Sequence, residues 1–246
     1  MSTLNAEQIA EQLRLRVRSR QWPPGMAINQ KQLASELGVS RIPVREALQA
    51  LNSEGLVILN PGQGASVVEL ERDDIADLYD LRLALEPRLA SDIIAGLSPR
   101  DHQRLADLTS LMHDARGHGG ADDNLHRDRW SNLNHEFHEH MYVATGRNHT
   151  VRVVLQLMEL VEPYSRLYVH LLSGVDRAST EHDNMVSAIG RGDADALAAH
   201  IREHLEGARR ELLDEGWWCD GHFAVPPGGA GDTVGDTATD TASVGA

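Results

Sequence analysis

A chain of 246 residues with a single cysteine, Cys219, is long enough for two modest domains with apolar cores. It excludes both a disulfide framework and a thiolate zinc site. No apolar run approaches the roughly 18 residues that span a bilayer, and the opening "MSTLNAEQIAEQLRLRVRSR" mixes apolar and charged residues unlike a signal peptide, so a soluble cytoplasmic protein is expected. The net charge of −14 argues at first against nucleic acid, but it is unevenly spread. Residues 1–70 carry seven basic and six acidic side chains, a net of +1, which leaves −15 for the rest; all 13 histidines lie at or after His102. The two parts have different electrostatics, and different jobs are expected of them.

In "AEQIAEQLRLRVRSR", Ile9, Leu13 and Val17 fall on one stripe, which predicts an amphipathic helix that "QWPPG" ends. A second helix fits "NQKQLASELG", with Asn29 as N-cap, Leu33, Ala34 and Leu37 inward and Gly38 at its end. In "VSRIPVREALQALNSEG", Ser40 is the expected cap and Pro43 falls in the first turn, where a missing N–H costs nothing. Val44, Ala47, Leu48 and Leu51 then follow the i, i+3, i+4, i+7 spacing of a buried face.

The short gap between these helices suits a helix-turn-helix. Arg41, Arg45 and Gln49 stand four apart on the third helix, away from its apolar stripe. Arginines near the start of such a helix can fork onto guanine or clamp phosphates, and the helix amides near Ser40 add a phosphate contact. "LVIL", "NPGQG" and "ASVVEL" read as two strands around a Pro-Gly turn, a hairpin forming a wing. A small helical domain with a solvated arginine face is the plainer alternative, and for any single arginine it is the better one.

"SRIPVREALQALNSEGLV" followed by "GQGASVVEL" resembles the winged helix-turn-helix of the GntR family of bacterial transcription regulators over about residues 6–70. That resemblance implies operator contacts from Lys31, Arg41 and Arg45, with the wing tip at Gly62 reaching the minor groove. Lys31 stands where an arginine is common, which permits a phosphate contact but not a bidentate one.

From Glu71 to about residue 220 the patterns predict an all-α bundle of about six helices and no strands. "RDDIADLYDLRLALEPRLASDIIAG" is helical, with Ile75, Leu78, Tyr79 and Leu89 inward and a kink at Pro87. Further helices fit 99–115, 124–144, 148–172, 179–190 and 194–214. The adjacent Trp217 and Trp218 read as a hydrophobic clip for the last helix. From about residue 221 the chain is low in complexity and reads as a disordered tail, 221–246.

"NHEFHEH" (134–140) is not the zinc-protease helix H-E-x-x-H, because the fourth position after His135 is Glu139. Asn134 and His138 share a helix face, and His182 and His204 begin or follow on two further helices. Histidines from separate helices can converge on a divalent metal, although spacing alone does not bring them together. His135 and His140 point elsewhere on a helix advancing about 100° per residue, and His200 with His204 makes a rival two-histidine clamp. Arg82 interrupts an apolar stripe; it either pairs with Glu86 one turn later or grips a ligand carboxylate.

N-x-x-F-H, then E-H, then a histidine 22 positions on, resemble the FCD ligand-binding domain of the FadR subfamily over about 72–214. The resemblance implies a zinc or nickel ion held at Asn134, His138, His182 and His204, with asparagine where the family usually has aspartate. It also implies a small organic acid as effector, its carboxylate held by metal and arginine. The expected function is a dimeric regulator, a repressor, reading palindromic double-stranded operator DNA. A metal-dependent hydrolase or lyase using the same histidines is the alternative; it lacks a base placed by motif and leaves the winged helix unexplained.

Overall fold

The computed structural model describes residues 4–60, 64–115, 123–171, 174–214, 218–219 and 222–223. Helix α1 (Ala6–Arg18) starts at Asn5, whose side chain accepts from the Gln8 amide at 2.8 Å while the Gln8 side chain accepts from the Asn5 amide, so two otherwise orphaned donors are satisfied reciprocally. After strand β1 (Ala27–Ile28), helix α2 (Gln30–Leu37) is capped by Asn29 Oδ1, which accepts from the amides of Lys31 and Gln32, and it ends at Gly38 with φ +66°. Helix α3 (Arg41–Ser53) buries Val44, Ala47, Leu48 and Leu51 as the spacing predicts. Ser40 holds the N-cap position, but its side chain makes no capping hydrogen bond. The expected cap is therefore positional only.

Strands β2 (Val57–Asn60) and β3 (Gly64–Val67) pair antiparallel, with Ile58 opposite Ser66, and form the wing. The wing also holds β1, giving the order β1-β3-β2 where the sequence predicts two strands. A strand of two residues is too short to display an alternation of period two, so it leaves no pattern to read. Gly64 adopts φ +104° and lies so close to β1 that a Cβ there would meet the Ile28 carbonyl oxygen at 2.7 Å.

The remainder is helical: α4 (Arg72–Leu85), a 3₁₀ turn (Glu86–Leu89), α5 (Ala90–Gly96), α6 (Pro99–Asp114), α7 (Asp123–Val143), α8 (Asn148–Leu171), α9 (Gly174–Arg191) and α10 (Ala194–Leu212). At Pro87 the expected kink is a full interruption, because the ring removes a helical donor and clashes with the preceding turn. One predicted helix thus becomes two. Helix α10 packs against α4, the 3₁₀ turn, α5, α8 and α9, so the bundle is built around it.

Two short strands, β4 (Trp218–Cys219) and β5 (His222–Phe223), pair antiparallel. The sequence predicts no strand after Glu71, and this pair departs from that expectation because ladders of two residues are again too short to signal. Trp218 Nε1 donates to the Leu212 carbonyl at 2.8 Å, as a clip on the last helix should. Trp217 and residues 224–246 lie outside the described residues.

Buried apolar side chains form two clusters, one from Ile9 to Val67 and one from Leu70 to Leu212. Burying each large side chain contributes roughly 1.5–3 kcal/mol, so each cluster holds its own unit together. Helix α8 joins them. Leu160 packs on both clusters, Gln156 Nε2 donates to the Glu54 carbonyl at 3.1 Å, and Glu159 pairs with Arg18 at 3.5 Å.

Candidate DNA-reading face and buried histidine site

Of the seven cations in residues 1–70, Arg14, Arg16 and Arg18 are spent inside the protein. Arg14 pairs with Glu54 at 2.7 Å and with Glu11, Arg16 with Glu36 at 2.6 Å, and Arg18 with Glu159. Lys31, Arg41 and Arg45 are exposed and make no ion pair among the described residues. Ser40 and Gln49 are exposed with them, at the start of α3 and two turns along it. Five of the six residues expected to meet DNA are therefore presented to solvent on or beside α2 and α3; Gly62 lies outside the described residues. Cations left without internal partners are available to phosphates and guanine edges.

The second site is internal. Helices α7, α9 and α10 each contribute one histidine, and a ring nitrogen from each of His138, His182 and His204 lies within 4.8 Å of the others. His138 Nε2 is 3.1 Å from His182 Nε2, and the three rings stand 4.9–5.1 Å apart between centroids. His182 is wholly buried and His138 nearly so. Burial first, and then the neighbouring histidines, drives both pKa values well below the ordinary range. Both rings are therefore neutral near pH 7 and keep the lone pairs that ligation needs. His204 Nδ1 sits 2.8 Å from Glu181 Oε2, an outer carboxylate of the kind that fixes ring orientation at metal sites.

Asn134 lines a cavity together with His138 and His204, and its Oδ1 is buried without a hydrogen-bond partner, as are the Nδ1 atoms of His138 and His182. Buried polar atoms left unsatisfied cost about 1–3 kcal/mol each. Three nitrogens and an unused amide oxygen thus form a donor set that suits zinc or nickel, and the cation would relieve part of that cost.

The cavity itself is about 70 Å³. Tyr79, Arg82, Glu162 and Ser165 add polar atoms to its wall, and Trp130, Met158 and Leu212 add apolar ones. Arg82 does pair with Glu86, Nε to Oε1 at 2.6 Å, and Tyr142 donates to the other Glu86 oxygen at 2.5 Å. The internal ion pair is present, and the same guanidinium faces the cavity.

The competing histidines are engaged elsewhere. His135 Nε2 is 3.4 Å from Glu159, His140 Nε2 is 3.0 Å from Asp101, and His200 Nδ1 is 3.8 Å from Glu203, while His204 Nδ1 meets Glu181. Sequence reasoning missed Glu162 and Arg166, a buried pair at 2.9 Å on α8. The i, i+4 spacing in "EPYSR" was the available signal, the same one that exposed Arg82 and Glu86. It also missed Glu181, the neighbour of His182 in "EHD".

A winged helix-turn-helix with free cations on its third helix, joined to a helical bundle with a histidine-walled cavity, defines a DNA-binding regulator rather than an enzyme. The chain belongs to the gntR family of bacterial regulatory proteins: that family's model matches residues 5–67, and the model of the FCD domain matches residues 77–207. It is similar to the HTH-type transcriptional regulator YdhC of Bacillus subtilis (strain 168), at 27% identity over 85% of this chain and 92% of the relative. It is also similar to the gluconate operon transcriptional repressor of Bacillus licheniformis, at 24% identity over 84% of each. Among solved structures, Escherichia coli McbR/YncC shares the fold with a TM-score of 0.76, at 20% identity over 87% of this chain and 99% of that one. These matches are to transcription regulators, and nothing in them supports the hydrolase or lyase alternative. Among the described residues no helix is long and apolar enough to cross a membrane.

Proposed function

We propose that this regulator binds a pseudo-palindromic operator as a homodimer, represses from it, and is released or retained by a small organic acid held in the cavity of the helical bundle. Asn134, His138, His182 and His204 hold a divalent cation, zinc by preference and nickel second, and Arg82 takes the effector's carboxylate beside it. The observation that carries this reading is one cavity walled by His138, His204 and Arg82, with the buried His182 Nε2 3.1 Å from His138 Nε2. When bound, the cation supplies an electrophilic anchor for an anion. The chain's own residues supply shape, orientation and a second positive charge.

Helix α8 gives the signal a route. Its residues Met158, Val161, Glu162 and Ser165 wall the cavity, while Gln156, Glu159 and Leu160 touch the winged domain. Between those two faces stands His135, 3.4 Å from Glu159 and 4.0 Å from Glu162. A ligand that draws on Arg82 or Glu162 changes the charge balance felt by Glu159 and Arg18. Its influence on operator binding is bounded by its differential affinity for the two placements of the reading domain.

The test is fluorescence anisotropy on a duplex from the promoter region of the protein's own gene, with zinc and a panel of small mono- and dicarboxylates. The wild type is expected to bind the duplex, to hold one zinc per chain and to change affinity with at least one acid. The His138→Ala/His182→Ala variant should bind the duplex, lose the metal and ignore every acid. Equal metal content in that variant would place the metal elsewhere, and an unchanged acid response would separate effector from histidines.

A further inference from the structure

We propose that Ile42 reads the 5-methyl group of a thymine in the operator. The inference rests on α3 being the DNA-reading helix and adds to that reading a base preference set by an apolar side chain. Ile42 is the second residue of α3, belongs to neither buried cluster and is 62% exposed. A lone surface isoleucine needs no explanation in general. This one is set apart by where it points.

At about 100° per residue, the buried stripe of Val44, Ala47, Leu48 and Leu51 is centred so that its opposite falls roughly 110° on from Arg41. Ile42 lies at about 100° on the same scale, Gln49 at about 80°, and Arg45 and Arg41 at about 40° and 0°. The isoleucine therefore occupies the middle of the outward face, in the first turn, while the two arginines stand to one side of it. Nothing in folding asks for it there, because a β-branched side chain loses rotamer freedom in a helix and this one buries little surface.

The first turn of a recognition helix is the part that meets base edges. In the major groove, the apolar feature that distinguishes one base edge from another is the thymine methyl. A branched aliphatic at the centre of that turn matches it, and the flanking arginines are then placed for phosphates or a neighbouring guanine. Ile42 sets which base pair is preferred beneath the helix tip, and Arg41 and Arg45 set how tightly the duplex is held.

The test starts from a random 20-base-pair duplex library selected against the wild type. The consensus is expected to contain a T·A pair in each half-site whose replacement by deoxyuridine, which removes only the methyl, weakens wild-type binding about fourfold, equivalent to about 0.8 kcal/mol per buried carbon group. Ile42→Ala, verified as folded by circular dichroism, should bind the thymine and deoxyuridine duplexes equally, and Arg45→Ala should lose both. If deoxyuridine at every thymine leaves wild-type affinity unchanged, or if Ile42→Ala keeps the thymine preference, the proposal is overturned. If the wild type enriches no duplex, the assignment of α3 as the reading helix falls as well.

Discussion

Replacing Glu86 by alanine would leave Arg82 charged in the interior without the carboxylate that hydrogen-bonds it. Glu86 is fully buried, and each of its oxygens is used: one accepts from Arg82 Nε at 2.6 Å and the other from the Tyr142 hydroxyl at 2.5 Å. Burial opposes the Arg82 charge, and Glu86 together with Tyr79 and Tyr142 outweighs that effect; burial and the same carboxylate push the Tyr142 hydroxyl well above its usual pKa, so it remains a donor. Breaking a buried pair by removing one partner costs about 3–5 kcal/mol, and an orphaned hydroxyl adds about 1–3 kcal/mol. At roughly 2–4 °C per kcal/mol for a protein of this size, Glu86→Ala should lower the melting temperature by at least 10 °C or so. Arg82→Met/Glu86→Met, which removes both charges and keeps the volume, should recover most of that loss. Urea denaturation followed by circular dichroism gives the full double-mutant cycle. A single-variant cost below about 1 kcal/mol, or a double variant no more stable than either single one, would refute the claim that this pair is a desolvated unit.

Two further outcomes follow from the same geometry. Asn134→Asp adds an anion beside three imidazole rings, so zinc affinity should rise at least tenfold, since opposite charges about 4 Å apart interact by roughly 4 kcal/mol at an effective dielectric of about 20 before desolvation is subtracted; chelator-competition calorimetry reads this, and an unchanged affinity would remove position 134 from the coordination shell. Glu159 is raised to about 7 by burial, with Glu162 adding to the rise and Arg18 on α1 opposing it; Arg14 and Glu11 on α1 and His135 on α7 also face it. A carboxyl raised in the folded state contributes stability that is complete below its unfolded value near 4.5 and is lost as pH climbs through 7. Glu159→Gln should therefore match the wild type near pH 5 and exceed it above pH 8 by roughly 1–3 kcal/mol. His135, held down to about 4 mainly by burial, stays neutral through most of that window. Parallel pH profiles of thermal unfolding for the two proteins would contradict this.

Long elements with strong periodicity were legible in the sequence, and the reasons are visible in their packing. The stripe of Val44, Ala47, Leu48 and Leu51 is buried as spaced, and Asn29 and Gly38 delimit α2 by side-chain capping and a left-handed residue. Elements of two residues were not legible, because β1, β4 and β5 exist through pairing with distant or following segments rather than through a local pattern. At the histidine site, which helices carry the three histidines could be anticipated, but the convergence of His138, His182 and His204 is a product of how α7, α9 and α10 pack. The wall supplied by α8, including Glu162, is equally a tertiary fact. Spacing along one helix says which side chains share a face, and says nothing of the helix they meet.

Because a single helix, α8, is both a wall of the cavity and the seat of the winged domain, reading head and sensor are not freely interchangeable parts. A chimera that takes residues 1–70 from another regulator would keep the pocket intact yet present Gln156, Glu159 and Leu160 to a foreign surface. Such a hybrid would keep its cavity but lose the contacts that couple it to the DNA-reading unit. Successful grafts must carry over Arg14, Arg18 and Glu54 on the incoming head, or else redesign the outward side of α8 to suit it.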